Sequence, residues 1–133
     1  MSAVADRVVS VVVVDDQIPF RAAAKSVVRM TPGFELTGEA ASGEEAVERV
    51  ATLEPDLVLM DINMPGISGI ESTRRIMAAH PEVRVVLLST YREDDLPADA
   101  RDCGAAAYVN KDEFGPEVLR HVWTAQREVR GSG

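Results

Sequence analysis

The chain has 133 residues, 46% of them hydrophobic and 27% charged, a size and balance that suit one globular domain and exclude a disordered segment. Its formal net charge is −8 and no basic block stands out, which argues against direct nucleic-acid binding, because phosphate recognition needs clustered Lys and Arg. The single cysteine, Cys103, excludes an internal disulfide and suits a reducing, cytoplasmic setting.

Met1 to Arg7 carries two charges and leads straight into an apolar run, so no signal peptide is expected. That run, Val8–Val14, is too short to span a bilayer, and no membrane association is expected. Its β-branched residues, bounded by acids, predict a strand buried on both faces. Phe20, Ala24, Val27 and Val28 then make a helical stripe, with Pro19 tolerated in the first turn. Phe34–Ala40 reads as a weaker strand. Ser42 and Glu45 form a possible capping box for a second helix, with Ala46, Val50 and Leu53 on its inner face. Leu57–Met60 repeats the buried-strand pattern. A third helix is expected over about Ser68 to Ala79, burying Ile70, Thr73 and Met77. Val83–Leu88 is the fourth strand. The fourth helix, roughly Asp94 to Cys103, carries Pro97, four acids and only Leu96, Ala100 and Cys103 as apolar material. It is expected to be the least firmly anchored. Ala106–Val109 is the last strand, and Leu119, Val122, Trp123 and Gln126 mark a fifth helix after Gly115-Pro116.

Strands alternating with helices in this way predict a single α/β domain with a doubly wound, five-stranded parallel sheet. Residues 1–130 are assigned to it, with 131–133 as a tail, a linker or a cloning remnant. Ligands of such sheets bind beyond the carboxyl ends of the strands. Strand one ends in Asp15-Asp16, strand three in Asp61, strand four in Ser89-Thr90, and Lys111 follows strand five. Three carboxylates at adjacent strand ends repel one another unless a cation neutralises them. With oxygen ligands and no His or Cys nearby, that cation should be hard, and Mg²⁺ fits best. A carboxylate beside it can attack phosphorus to give an acyl phosphate, while an ammonium and a hydroxyl hold the phosphoryl oxygens.

Each piece has a blander reading. Asp15-Asp16 could be a turn or a cap, and Asp61 with Asn63 and Pro65-Gly66 a turn alone. Ser89 and Thr90 could cap the next helix. Lys111 could be a solvated charge, but of the 14 basic residues only Lys25 and Lys111 are lysines. A compact ammonium rather than a guanidinium at this strand end points to a required point charge. Together the four strand ends favour a site.

Four segments, V-V-V-V-D-D-Q, L-V-L-M-D-I-N-M-P-G-I-S-G-I-E, V-V-L-L-S-T-Y and G-A-A-A-Y-V-N-K, resemble the receiver domain of bacterial two-component response regulators. The resemblance runs from about Arg7 to Arg127. It implies a (βα)₅ flavodoxin-like fold with strand order 2-1-3-4-5, and a signalling switch in which Asp61 accepts a phosphoryl group from a histidine kinase. It further implies that Asp16 and Asp61 bind Mg²⁺ through their carboxylates, Asn63 through its backbone carbonyl and Asp15 through water. Lys111 takes the place of the phosphate-binding lysine, Ser89 that of the switch hydroxyl, and Tyr108 that of an aromatic which changes rotamer on activation. Tyr108 can also be read simply as a half-buried strand tyrosine.

Departures from the family pattern include Ser rather than Thr at position 89 and Asp112 where many relatives carry Pro, so no cis-proline is expected there. Thr90, larger than the Ala often found at its position, is expected with Asn63 to modulate the path of the hydrolytic water. The run Lys111-Asp112-Glu113-Phe114 is similar to the branch carrying helix-turn-helix output domains. An alternative reading is therefore the receiver half of a DNA-binding transcriptional regulator. The resemblance implies a phosphoacceptor switch rather than an enzyme, with at most self-phosphorylation and self-dephosphorylation. It places the partner surface, and a possible homodimer, on the fourth helix, fifth strand and fifth helix. A haloacid dehalogenase-type phosphatase would place an Asp-x-Asp nucleophile after strand one, where this chain reads Asp15-Asp16-Gln17. A flavodoxin would need a phosphate loop where Gln17-Ile18-Pro19-Phe20 stands.

Overall fold

The computed structural model describes residues 8–92 and 95–132, with residues 125–132 as backbone alone. The expectations for Met1–Arg7, for Asp94 and for Gly133, and those for the side chains of Gln126 and Arg127, lie outside the described residues.

Strands β1 (Val9–Val14), β2 (Phe34–Ala40), β3 (Leu57–Asp61), β4 (Arg84–Ser89) and β5 (Ala107–Asn110) form one parallel sheet in the order β2-β1-β3-β4-β5. Helices α1 (Ile18–Met30), α2 (Gly43–Leu53), α3 (Gly69–Ala79) and α4 (Pro116–Ser132) connect or follow them. Successive strand residues point to opposite faces, and both faces are apolar. Val11, Val13, Leu57, Leu59, Val86 and Leu88 pack with Ala24 and Val28 of α1 and Leu119 of α4. Val12, Val14, Val58, Met60, Val85 and Leu87 pack on the other side with Ala46 and Val50 of α2 and Ile70 and Ile76 of α3. Burial of one such side chain stabilises the fold by roughly 1.5–3 kcal/mol. This double demand explains the unbroken Val11–Val14 run.

The fourth helix is the main departure from expectation. Instead of an α-helix over Asp94 to Cys103, the described residues form a 3₁₀ turn at Ala98–Asp102. Pro97 at its start has no N–H to donate, and the segment has too few apolar residues to hold a longer helix against the sheet. Ala100 and Cys103 are nonetheless buried, and Leu96 packs beside them. The fifth predicted helix is thus α4. Smaller shifts also occur: Leu53 is 39% exposed rather than inward, and Ile76, rather than Met77, is the buried residue in the last turns of α3. Val83 and Ala106 fall outside their strands, whereas Ser89 and Asn110 fall inside them.

The helix starts follow local chemistry. Glu45 N–H donates to Ser42 Oγ at 3.1 Å, and Ala41 N–H donates to the Glu45 carboxylate at 2.6 Å. The reciprocal bond of the box therefore closes one residue before the cap. Glu71 N–H donates to Ser68 Oγ at 3.2 Å and opens α3. The chain runs from β1 out to β2 on one side and returns to β3 on the other. This reversal opens a crevice at the carboxyl ends of β1 and β3, where a sheet of this kind binds ligands.

Candidate functional site

The end of β1 delivers two carboxylates with different surroundings. Asp15 is 1% exposed. Its Oδ1 accepts from Gln17 N–H at 2.8 Å, and its Oδ2 accepts from Lys111 Nζ at 2.7 Å. Arg21 Nη1 donates to the Asp15 carbonyl at 2.7 Å, so α1 secures the turn that carries both acids. Asp16 is the opposite case. Its Oδ1 is shut off from solvent and, among the described residues, meets no hydrogen-bond donor.

Asp61 closes β3 and is 5% exposed. Lys111 Nζ lies 3.1 Å from its Oδ1. Burial and the nearby Asp15 charge push the Asp61 carboxyl up to about 6, against the pull of Lys111 and with a further push from Asp16. Burial works against the Lys111 ammonium, but its bonds to Asp15 and Asp61 outweigh that and hold its pKa above the ordinary value. One ammonium is thus set among three carboxylates, and it does not balance them.

Oxygen atoms of Asp15, Asp16 and Asp61 lie within 4.8 Å of one another. A hard divalent cation suits this all-oxygen set. The buried, unpartnered Asp16 Oδ1 supplies an independent sign of fit, since an isolated buried carboxylate oxygen is costly. Both Asp15 oxygens are engaged by the protein, which leaves Asp16 and Asp61 as the available carboxylates.

The remaining expected residues divide into two groups. Ser89 is buried at the end of β4, and its Oγ accepts from Tyr91 N–H at 2.8 Å rather than reaching into the acidic cluster. Tyr108 is half-buried on β5 and donates its hydroxyl hydrogen to the Ala100 carbonyl at 2.7 Å. Burial pushes its phenol above the ordinary value. Ser89 and Tyr108 line the same cavity of about 500 Å³, together with Tyr91, Leu96 and Asn110. Asn63 and Thr90 are exposed beside the site, and Tyr91 Oη lies 3.5 Å from Asn63 Oδ1.

Three contributors were not foreseen as site residues. Phe20 places its ring 4.3 Å beneath Lys111 Nζ, Arg21 anchors Asp15, and Gly69 packs its Cα against the Asp61 carbonyl. A Cβ at Gly69 would run into that oxygen, so the end of β3 passes the start of α3 only because the residue is Gly. A glycine where a helix begins was the available signal for the last. Arg21 and Phe20 looked like ordinary helix residues.

Residues 11–123 match the family model for the response regulator receiver domain. The response regulator GacA of Pseudomonas viridiflava is 36% identical over 124 residues, which cover 91% of this chain and 58% of GacA. UvrY of Escherichia coli K12 is 37% identical over 124 residues, covering 91% of this chain and 57% of UvrY. The chain therefore spans somewhat over half the length of these relatives. Among solved structures, the signal receiver domain of the response regulator NarL from Mycobacterium tuberculosis superposes with a TM-score of 0.83 at 29% identity, covering 91% of this chain and 98% of that domain. By fold, site and these matches alike, the chain belongs to the response regulator receiver domains, the phosphorylation-activated switches of two-component signalling.

Proposed function

We propose that Asp61 is the residue phosphorylated, with a histidine kinase of the cytoplasm as the donor. The observation that carries this reading is the pair of contacts made by Lys111 to Asp15 and Asp61, 2.7 and 3.1 Å long, at the carboxyl ends of the sheet. Asp61 ends β3, the central strand of the sheet, with the acidic pair at the end of neighbouring β1. In the transfer, an Asp61 carboxylate oxygen forms a bond to phosphorus as the bond from phosphorus to the kinase imidazole nitrogen breaks. The electron pair of the broken bond stays on that nitrogen. Acetyl phosphate can serve in place of the kinase, with acetate leaving. Lys111 then holds a phosphoryl oxygen while charge spreads over the group.

Asp16 and Asp61 would hold Mg²⁺ through their carboxylates and Asn63 through its backbone carbonyl, with Asp15 acting through water. When bound, the ion neutralises charge on the carboxylates and on the phosphoryl oxygens. Thr90 and Asn63 flank the route by which water reaches the acyl phosphate, so self-dephosphorylation is tuned at these two positions.

Ser89 gives up the Tyr91 N–H when it turns toward the phosphoryl group, and the cavity it shares with Tyr108 transmits the change. The responding surface comprises the 3₁₀ turn at Ala98–Asp102, β5 and α4, and it binds a partner or a second copy. Residues 1–130 are assigned to the receiver unit, and the backbone of α4 continues past it to Ser132. Because the relatives are longer, this unit serves as the input half of a larger regulator, with DNA binding assigned to another part of such a protein.

Incubation with acetyl phosphate and Mg²⁺, followed by intact-mass measurement, tests the assignment. One hydroxylamine-labile phosphoryl group is expected on the parent and none on Asp61→Asn. Equal labelling of the two proteins would overturn the choice of Asp61.

A further inference from the structure

We infer that Phe20 is a positioning residue for Lys111, its ring face holding the ammonium in place for the phosphoryl group. The inference rests on the reading of Lys111 as the phosphate-binding lysine. Three contacts converge on Lys111 Nζ: Asp15 Oδ2 at 2.7 Å, Asp61 Oδ1 at 3.1 Å and the Phe20 ring centroid at 4.3 Å. The lysine side chain is only 11% exposed, so little water competes for the cation. An aromatic face attracts an ammonium through its quadrupole, and the attraction grows as water is removed.

The carboxylates alone leave the ammonium poorly defined once phosphorylation begins. Asp61 changes its bonding when it attacks phosphorus, and Asp15 keeps only one oxygen for the lysine because Gln17 N–H occupies the other. The Phe20 ring, like the Asp15 carboxylate, does not change chemically during transfer, and it adds a second fixed contact to the ammonium. Its place is fixed from below, since Phe20 packs against the apolar layer formed with Ala24 and Val28 of α1. The first turn of α1 therefore secures both sides of the site. Arg21 holds the Asp15 carbonyl and Phe20 holds the lysine that Asp15 pairs with. An ordinary core role would explain the burial of Phe20 but not a ring face turned toward the one ammonium in the acidic cluster.

The two-lysine composition makes the contact directly observable. With ¹³C-lysine labelling and no Mg²⁺ present, the ε-methylene protons of Lys111 should resonate upfield of those of Lys25, shielded by the ring. Lys25 serves as the internal reference because it pairs with Glu39 at 2.9 Å. Phe20→Leu keeps an apolar side chain and should collapse the difference, whereas Phe20→Tyr should retain it. With acetyl phosphate and Mg²⁺, acyl-phosphate formation should slow about tenfold in Phe20→Leu and recover in Phe20→Tyr. Coincident lysine signals in the parent, or a parental phosphorylation rate in Phe20→Leu, would overturn the inference. Lys111→Ala separates the two levels. If it phosphorylates normally, the reading of Lys111 fails; if it fails to phosphorylate while Phe20→Leu is normal, only the role of Phe20 falls.

Discussion

Replacing Asp61 by Asn should make the metal-free domain more stable near neutral pH. The carboxyl of Asp61 is pushed up to about 6 from 3.8, first by burial and then by Asp15. A group whose folded pKa lies above its unfolded value contributes stability that is complete below the unfolded pKa and is lost as pH rises through the folded one. Here that window runs from about pH 4 to just above pH 6. Two units of difference correspond to about 3 kcal/mol, which is an upper bound on what the ionised carboxylate costs near pH 7.5. That figure is already net of the Lys111 attraction, and solvent at the mouth of the site screens part of the repulsion, so a gain of about 1–2 kcal/mol is expected for asparagine. Urea unfolding in EDTA can be followed through Trp123, whose ring stacks 4.2 Å from the Arg84 guanidinium. The advantage of the variant should shrink below pH 5, where the parent carboxyl is protonated too. It should also shrink with Mg²⁺, because ligand at tenfold its Kd adds about 1.4 kcal/mol to the parent. A variant no more stable than the parent in EDTA near pH 7.5, or an advantage unchanged by pH, would refute the repulsion argument.

Asp16→Ala should weaken Mg²⁺ binding by roughly tenfold or more, measured by calorimetry, because few protein carboxylates hold this ion; Glu48→Ala on the exposed face of α2 is the control. Lys111→Arg should bind Mg²⁺ close to normally yet lose the phosphorylation-dependent change in amide exchange, since a planar fork cannot replace a compact ammonium. Retained switching in that variant would leave Lys111 a structural partner of Asp15 and Asp61 rather than a phosphate ligand. With a beryllofluoride mimic, exchange should change most over residues 95–103 outside the active-site loops, and a response confined to α2 would place the output surface elsewhere. Tyr108→Phe removes the bond to the Ala100 carbonyl; a loss of about 1 kcal/mol in stability and faster exchange at 98–102 are expected.

The sheet was readable because a strand buried on both faces leaves no room for polar residues, and Val11–Val14 and Leu57–Met60 obey that rule. Strand ends then place Asp15, Asp16, Asp61 and Lys111 in one crevice from residue order alone. The segment before β5 was misread because helix expectation rested on alternation alone. Leu96, Ala100 and Cys103 keep helical spacing and do pack inward, but they bury little area, and Pro97 removes a donor at the start. The unequal roles of Asp15 and Asp16 depend on which oxygen the Gln17 N–H reaches, a matter of turn geometry that residue identity does not specify. Phe20 belonged to a regular apolar stripe, so nothing local set it apart. Its contact with Lys111 depends on how the first helix and the last strand meet in space.

The sheet also acts as a partition. Val28 of α1 and Val50 of α2 are both fully buried, yet they belong to apolar layers on opposite faces. Substitutions at separated sites without shared partners add to within about 0.5 kcal/mol. Val28→Ala and Val50→Ala should therefore show almost no coupling, whereas two changes within one layer should. Tyr108 and Val109, adjacent in sequence, fall on opposite sides of this divide. One layer can then accumulate substitutions, and acquire a new binding surface, while the other keeps its packing. A fold arranged in this way lends itself to diversification one face at a time.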